Sequence, residues 1–142
     1  MPQQISVFAE NKPGKIERIS GILGSADINI RAITISDSGD YGIIKILVDR
    51  PAEGCDALNR GGVAAALKDI VVLAVEDRPG GLHRAASVLA RHDINVDDAY
   101  GFTMREGERA VFVFQVKDPL NAERTLLSAG FKILTDTEIY RI

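Results

Sequence analysis

Two short loops carry the residues of this chain best suited to holding a small molecule. Asn11-Lys12-Pro13-Gly14-Lys15-Ile16 is echoed 66 positions later by Asp77-Arg78-Pro79-Gly80-Gly81-Leu82. Asp27-Ile28-Asn29-Ile30 is echoed by Asp93-Ile94-Asn95-Val96 at the same offset. Proline suits the first turn of a helix, where its missing N–H would be unpaired anyway. Glycine lets the backbone pass close to a ligand. The N–H groups of Gly14, Lys15 and Ile16 are then expected to point outward at a helix start, which attracts anions by about 0.3–1 kcal/mol. A small carboxylate is the natural guest. Asn11 and Asn29 are read as flanking the same end of that helix, and an amide can accept from an ammonium and donate to a carboxylate. Together these groups would hold both ends of a free amino acid; the alternative is that the two asparagines only cap turns.

Other chemistries lack their usual residues. His83 and His92 lie nine apart, on opposite sides of a helix at about 100° per residue, and Cys55 is the only cysteine. No metal site and no disulfide framework is therefore expected. There is no Gly-x-Ser-x-Gly elbow, phosphate loop or Gly-x-Gly-x-x-Gly fingerprint. The acidic pair Asp97-Asp98 would point to opposite faces of a strand, and Cys55 has no nearby base. The chain reads as a non-enzyme without cofactors. Its 142 residues carry 17 Lys+Arg against 20 Asp+Glu, a net charge of −3, which gives no basic excess for neutralising phosphates. No apolar run approaches the roughly 18–20 residues of a membrane span. Met1-Pro2-Gln3-Gln4 does not open a secretory leader. A cytoplasmic protein without membrane or nucleic-acid partners is the expectation.

The loops belong to an internal repeat, which must position them. Ile16, Ile19 and Leu23 match Leu82, Ala85 and Leu89; beyond residue 50 the offset grows to 68, pairing Pro51 with Pro119 and Gly62 with Gly130. That growth implies a longer turn in the second copy. Two domains, 1–68 and 69–142, are expected. Each is near the lower size limit for a stable core, so the halves are expected to share an interface.

Periodicity gives the elements of one copy. Alternation over 4–10 predicts a strand, and the apolar spacing of 15–25 an amphipathic helix. Residues 28–36 and 41–49 read as strands joined by the turn cluster 37–40. Residues 51–59 read as a helix ended by Gly61-Gly62. Residues 63–75 read as one long strand closing the first copy and opening the second; a helix over 63–67 is the competing reading. In the second copy the same order falls on 71–76, 82–91, 94–104, 109–117, 121–129 and 131–141. The fold class is α+β: two ferredoxin-like βαββαβ units, each an antiparallel sheet with its helices packed on one face.

The loops and their frame resemble the ACT domain, a small-molecule sensing module of amino-acid metabolism. The marks are Glu10-Asn11-Lys12-Pro13-Gly14-Lys15-Ile16 with Asp27-Ile28-Asn29-Ile30, and their second-copy counterparts. The resemblance covers nearly the whole chain, which looks like the stand-alone tandem members with no attached catalytic domain. It implies a regulatory protein whose ligand is a free amino acid, bound at the strand–helix loop where units meet. The family's ligand-touching asparagines fall on Asn11 and Asn29, and in the second copy on Asp77 and Asn95. A carboxylate at Asp77 would repel a ligand carboxylate, so the second site is expected to be altered or silent. A histidine used in serine-binding members is replaced by Ala9 and Val75, which favours a branched-chain or aromatic ligand over serine. The resemblance also implies a partner enzyme of amino-acid metabolism and admits a homodimer. The alternatives are an RNA-binding module of similar topology, with Arg109-Ala110-Val111-Phe112-Val113-Phe114 on its aromatic strand, or a regulatory subunit with no small-molecule ligand.

Overall fold

Alternating apolar residues build each sheet, and helices cover the apolar face. The computed structural model describes residues 1–104 and 108–141. The longer turn expected in the second copy falls on residues 105–107, outside the described residues. In chain order the elements are β1 (Gln3–Glu10), α1 (Lys15–Ser25), β2 (Ile30–Ser38), β3 (Tyr41–Val48), α2 (Pro51–Arg60) and β4 (Ala64–Asp69). They are followed by β5 (Val71–Glu76), α3 (Gly81–Arg91), β6 (Asp98–Thr103), β7 (Arg109–Gln115), α4 (Pro119–Ser128), β8 (Lys132–Ile133) and α5 (Asp136–Tyr140). The chain forms two units, Gln3–Lys68 and Asp69–Tyr140, the latter joined by Met1–Pro2.

In the first unit the sheet order is β2-β3-β1-β4. β3 runs antiparallel to both β1 and β2, with Ile5 opposite Ile46 and Val7 opposite Ile44. Those four side chains are buried with Ile19 and Leu23 of α1 and Cys55 and Leu58 of α2. The second unit repeats this with the order β6-β7-β5-β8. Its core joins Val71, Leu73 and Val75 to Ala85 and Leu89 of α3 and Leu126 of α4. These are the two α+β units that the repeat predicts. Burying one Leu or Ile contributes about 1.5–3 kcal/mol.

Four boundaries differ from the sequence reading. Residues 63–75 form two strands, not one. Ile70 leaves the ladder, its N–H donates to the carbonyl of Pro2 at 3.0 Å, and its side chain is buried. Residues 131–141 are not a strand throughout: after the two residues of β8 the chain turns into α5. Thr135 and Glu138 form a reciprocal cap there. The Glu138 N–H donates to Thr135 Oγ1 at 3.4 Å, and the Thr135 N–H donates to Glu138 Oε1 at 3.4 Å. β6 begins at Asp98 and not at residue 94. β2 spans Ile30–Ser38 and carries a bulge between Ile30 and Ala32. The bulge exchanges faces along the strand, so Ile33 and Ile35 lie opposite Ile46 and Ile44.

Candidate functional site

β1 ends at Glu10, and the Asn11 N–H donates to the carbonyl of Asp40 at 2.7 Å, fixing the loop to the β2–β3 turn. The side chain of Asn11 extends that tie. Its Nδ2 donates to Asp37 Oδ1 at 2.8 Å and to the Gly39 carbonyl at 3.0 Å, while its Oδ1 accepts from Lys15 Nζ at 2.6 Å. Pro13 then leads into Gly14, whose φ of +92° is a left-handed conformation that favours glycine. α1 starts directly after it, with no side-chain cap on its free N–H groups.

This start borders a cavity of about 370 Å³. Pro13, Gly14, Lys15 and Arg18 form one wall, and Gly62, Val63 and Ala64 form another. Phe8, Ala9, Glu10, Lys12 and Ile19 complete the lining. Lys12 Nζ pairs with Glu10 Oε2 at 3.2 Å, and Arg18 Nη2 donates to the Gly61 carbonyl at 2.7 Å. Of the residues expected from sequence, Pro13, Gly14 and Lys15 line the cavity; Asn11 holds Lys15 from outside it, and Ile16 packs on the first core. Glu10, Lys12, Arg18 and Gly62 also line the cavity and are not among the residues that the sequence marks for ligand contact. Two signals could have found the last two: Arg18 shares a helix face with Lys15, and Gly62 recurs in the repeat as Gly130.

Asn29 is not at this end, which corrects the reading that it flanks the same helix terminus as Asn11. β1 and β2 are both antiparallel to β3, so they are parallel to each other, and α1 carries the chain back along the sheet before β2 begins. Asn11 faces Asp40 before β3, whereas the Asn29 carbonyl accepts from the Asp49 N–H at 3.2 Å after it. The length of β3 sets the two about 30 Å apart, at about 3.3 Å per residue. Within one unit they cannot share a small ligand. Beside Asn29, Arg50 pairs with Glu53 at 2.7 Å and donates to the Asp27 carbonyl.

The second unit places its loop similarly but closes it further. Gly80 has φ +88°, matching Gly14. The Asp77 N–H donates to the Glu108 carbonyl at 2.9 Å, and Arg78 pairs with Glu76 at 2.6 Å. The Gly81 N–H is taken by the Arg78 carbonyl at 3.1 Å. Gly81 is also pressed against the sheet, since a Cβ there would lie 2.5 Å from the Glu76 carbonyl oxygen. Leu82 is exposed beside it. Asn95 sits at the far end, as Asn29 does. Its Nδ2 donates to Asp97 Oδ1 at 3.0 Å, at the edge of a hollow of about 410 Å³ shared with Lys117, Asp118 and Asn121.

Cys55 is buried, Asn59 Nδ2 donates to its Sγ at 3.7 Å, and burial together with Asp56 pushes the thiol pKa up. That is the opposite of an activated nucleophile. Among the described residues no group of three His, Cys, Asp or Glu side chains could hold a metal ion. No helix among them is long and apolar enough to cross a membrane.

The family model described as an ACT domain pair matches residues 1–142. A protein of Bacteroides thetaiotaomicron superposes with a TM-score of 0.93 at 23% identity, covering 99% of this chain and 96% of its own. The ligand-free regulatory subunit of aspartate kinase from Thermus thermophilus superposes with a TM-score of 0.66 at 18% identity, over 91% of this chain and 93% of its own. The corresponding subunit from Thermus flavus gives a TM-score of 0.59 at 17% identity, over 89% and 91%. These likenesses show a shared fold. No curated protein matches the chain.

Proposed function

The chain belongs to the family of ACT domain pairs, and from that premise we propose that it is a non-catalytic sensor of a free amino acid. The ligand site is the strand–helix loop of the first unit. The observation that carries this reading is the uncapped start of α1, opened by Gly14 and bordering a cavity of about 370 Å³. Free N–H groups and Lys15 suit a carboxylate, and Glu10, paired with Lys12 through Oε2, keeps Oε1 for an ammonium. Asn11 contributes by holding Lys15 and the loop in place. Asn29 and Asn95, at the other end of their sheets, take no part in this loop site. The second loop, with Asp77 and a spent Gly81 N–H, binds more weakly or not at all.

Binding would stabilise the loop and shift the population of a surface that a partner enzyme reads. The family and the likeness in fold to aspartate kinase regulatory subunits support a partner in amino-acid metabolism. A thermal-shift screen against the twenty amino acids tests the proposal. A ligand at about 100 times its dissociation constant adds about 2.7 kcal/mol of stability. At least one amino acid should raise the midpoint of the full chain, and Lys15→Gly, which copies the second loop, should reduce that rise. No shift with any of the twenty at millimolar concentration sinks the proposal.

A further inference from the structure

The cavity beside α1 is more cationic than an apolar ligand side chain requires. Three of its lining residues are basic, Lys12, Lys15 and Arg18, against one acid, Glu10. Lys12 is neutralised by Glu10 at 3.2 Å. The other two have neutral partners: Lys15 Nζ meets the amide oxygen of Asn11 at 2.6 Å, and Arg18 Nη2 meets the Gly61 carbonyl at 2.7 Å. Asp37, the acid next along from Lys15, is occupied by Asn11 Nδ2 at 2.8 Å and the Gly39 N–H at 2.9 Å. Lys15 and Arg18 are three residues apart on α1, so their side chains share a face, and the positive end of the helix adds to their field.

The backbone opposite accommodates the guanidinium. Gly62 has φ +83°, and a Cβ there would come 3.1 Å from Arg18 Nη2. Arg18 therefore lies across a glycine pair with one N–H spent on Gly61, and its fork retains donors for a planar, two-oxygen acceptor. In the second unit Arg84 matches Arg18, but Gly81 replaces Lys15, so among the described residues the second loop lacks the Lys–Arg pair that α1 presents in the first.

We propose that Arg18 makes the first-unit cavity selective for a dicarboxylic amino acid, aspartate or glutamate, with one carboxylate at the α1 start and Lys15 and the other on Arg18. This rests on the reading that the cavity binds a free amino acid, and it replaces the apolar ligand side chain inferred from Ala9.

Isothermal titration of the full chain with aspartate, asparagine, glutamate, glutamine, leucine, phenylalanine and inorganic phosphate tests it. One acid should bind about tenfold or more tightly than its own amide, the size expected for a charge-assisted, two-pronged contact. Raising the salt concentration should narrow that ratio. Arg18→Gln should bring the ratio close to one, Arg18→Lys should retain part of it, and unchanged far-ultraviolet circular dichroism would show that both variants fold. An acid-to-amide preference that survives Arg18→Gln removes Arg18 from the assignment. Leucine or phenylalanine binding as tightly as either acid overturns the selectivity and leaves the sensor reading standing. Phosphate binding as tightly as the acids shows a plain anion site and overturns the selectivity too. If no amino acid binds, both readings fall.

Discussion

Asn11 draws its importance from what it holds. Both hydrogens of its Nδ2 go to the β2–β3 turn, to Asp37 and Gly39, and its oxygen accepts from Lys15. The sequence marks this asparagine as a polar group beside a Pro-Gly turn, which is legible. Its partners are not, because Asp37 and Gly39 are 26 and 28 residues away and reach it only through the sheet register. Removing it releases a hydrogen bond to a carboxylate on an exposed loop. Asn11→Ala should therefore lower stability by about 1 kcal/mol, measured by urea unfolding, and should weaken any ligand by freeing Lys15. Unchanged stability would mean that the turn and loop are held without it. Asn29 teaches the converse. The same residue type in a repeated motif invited the same role, but one helix length of chain separates the two ends of the sheet.

The elements explain why Asp-Ile-Asn recurs. After α1, Asp27 takes φ +60° and its N–H reaches the Gly24 carbonyl at 3.0 Å, while the Ile28 N–H reaches the Leu23 carbonyl at 2.9 Å. After α3, Asp93 takes φ +56°, with the Asp93 N–H on Ala90 at 3.1 Å and the Ile94 N–H on Leu89 at 2.9 Å. This is a helix stop of the Schellman kind, in which a left-handed residue ends the helix and the next apolar residue packs back. The first two residues of the motif thus serve architecture, which a purely ligand-centred reading overlooks. A left-handed conformation costs a non-glycine residue roughly 1–2 kcal/mol, less for aspartate. Asp93→Gly should accordingly raise stability by about 0.5–1 kcal/mol in denaturant unfolding; a loss would mean that the carboxylate makes a compensating contact. The amphipathic helices and alternating strands were legible because the period of apolar residues reports one buried face. The break at Ile70, the bulge after Ile30 and the turn into α5 were not read, because each is set by a tie or register outside the local period. The cap of α5 is a partial exception, since Thr135-Asp136-Thr137-Glu138 carries a capping-box spacing in its own letters.

At the scale of the molecule, one topology is built twice and given different loop chemistry. The repeat was the most legible property of the sequence, since it keeps one offset through two motifs and the helix between them. What distinguishes the copies is finer: Lys15 against Gly81, Asn11 against Asp77, and one committed N–H at the second helix start. On the proposed reading only one loop need respond, and the first joins uncapped N–H groups to a cavity of about 370 Å³. Titration of the isotopically labelled full chain with amino acids, followed by amide chemical shifts, reports which end of which unit takes the ligand. Saturable shifts should concentrate at Gly14, Lys15, Ile16 and Gly62–Ala64, with far smaller ones at Gly80–Leu82. Shifts centred on Asn29 or Asn95, or no shifts with any amino acid, would contradict it.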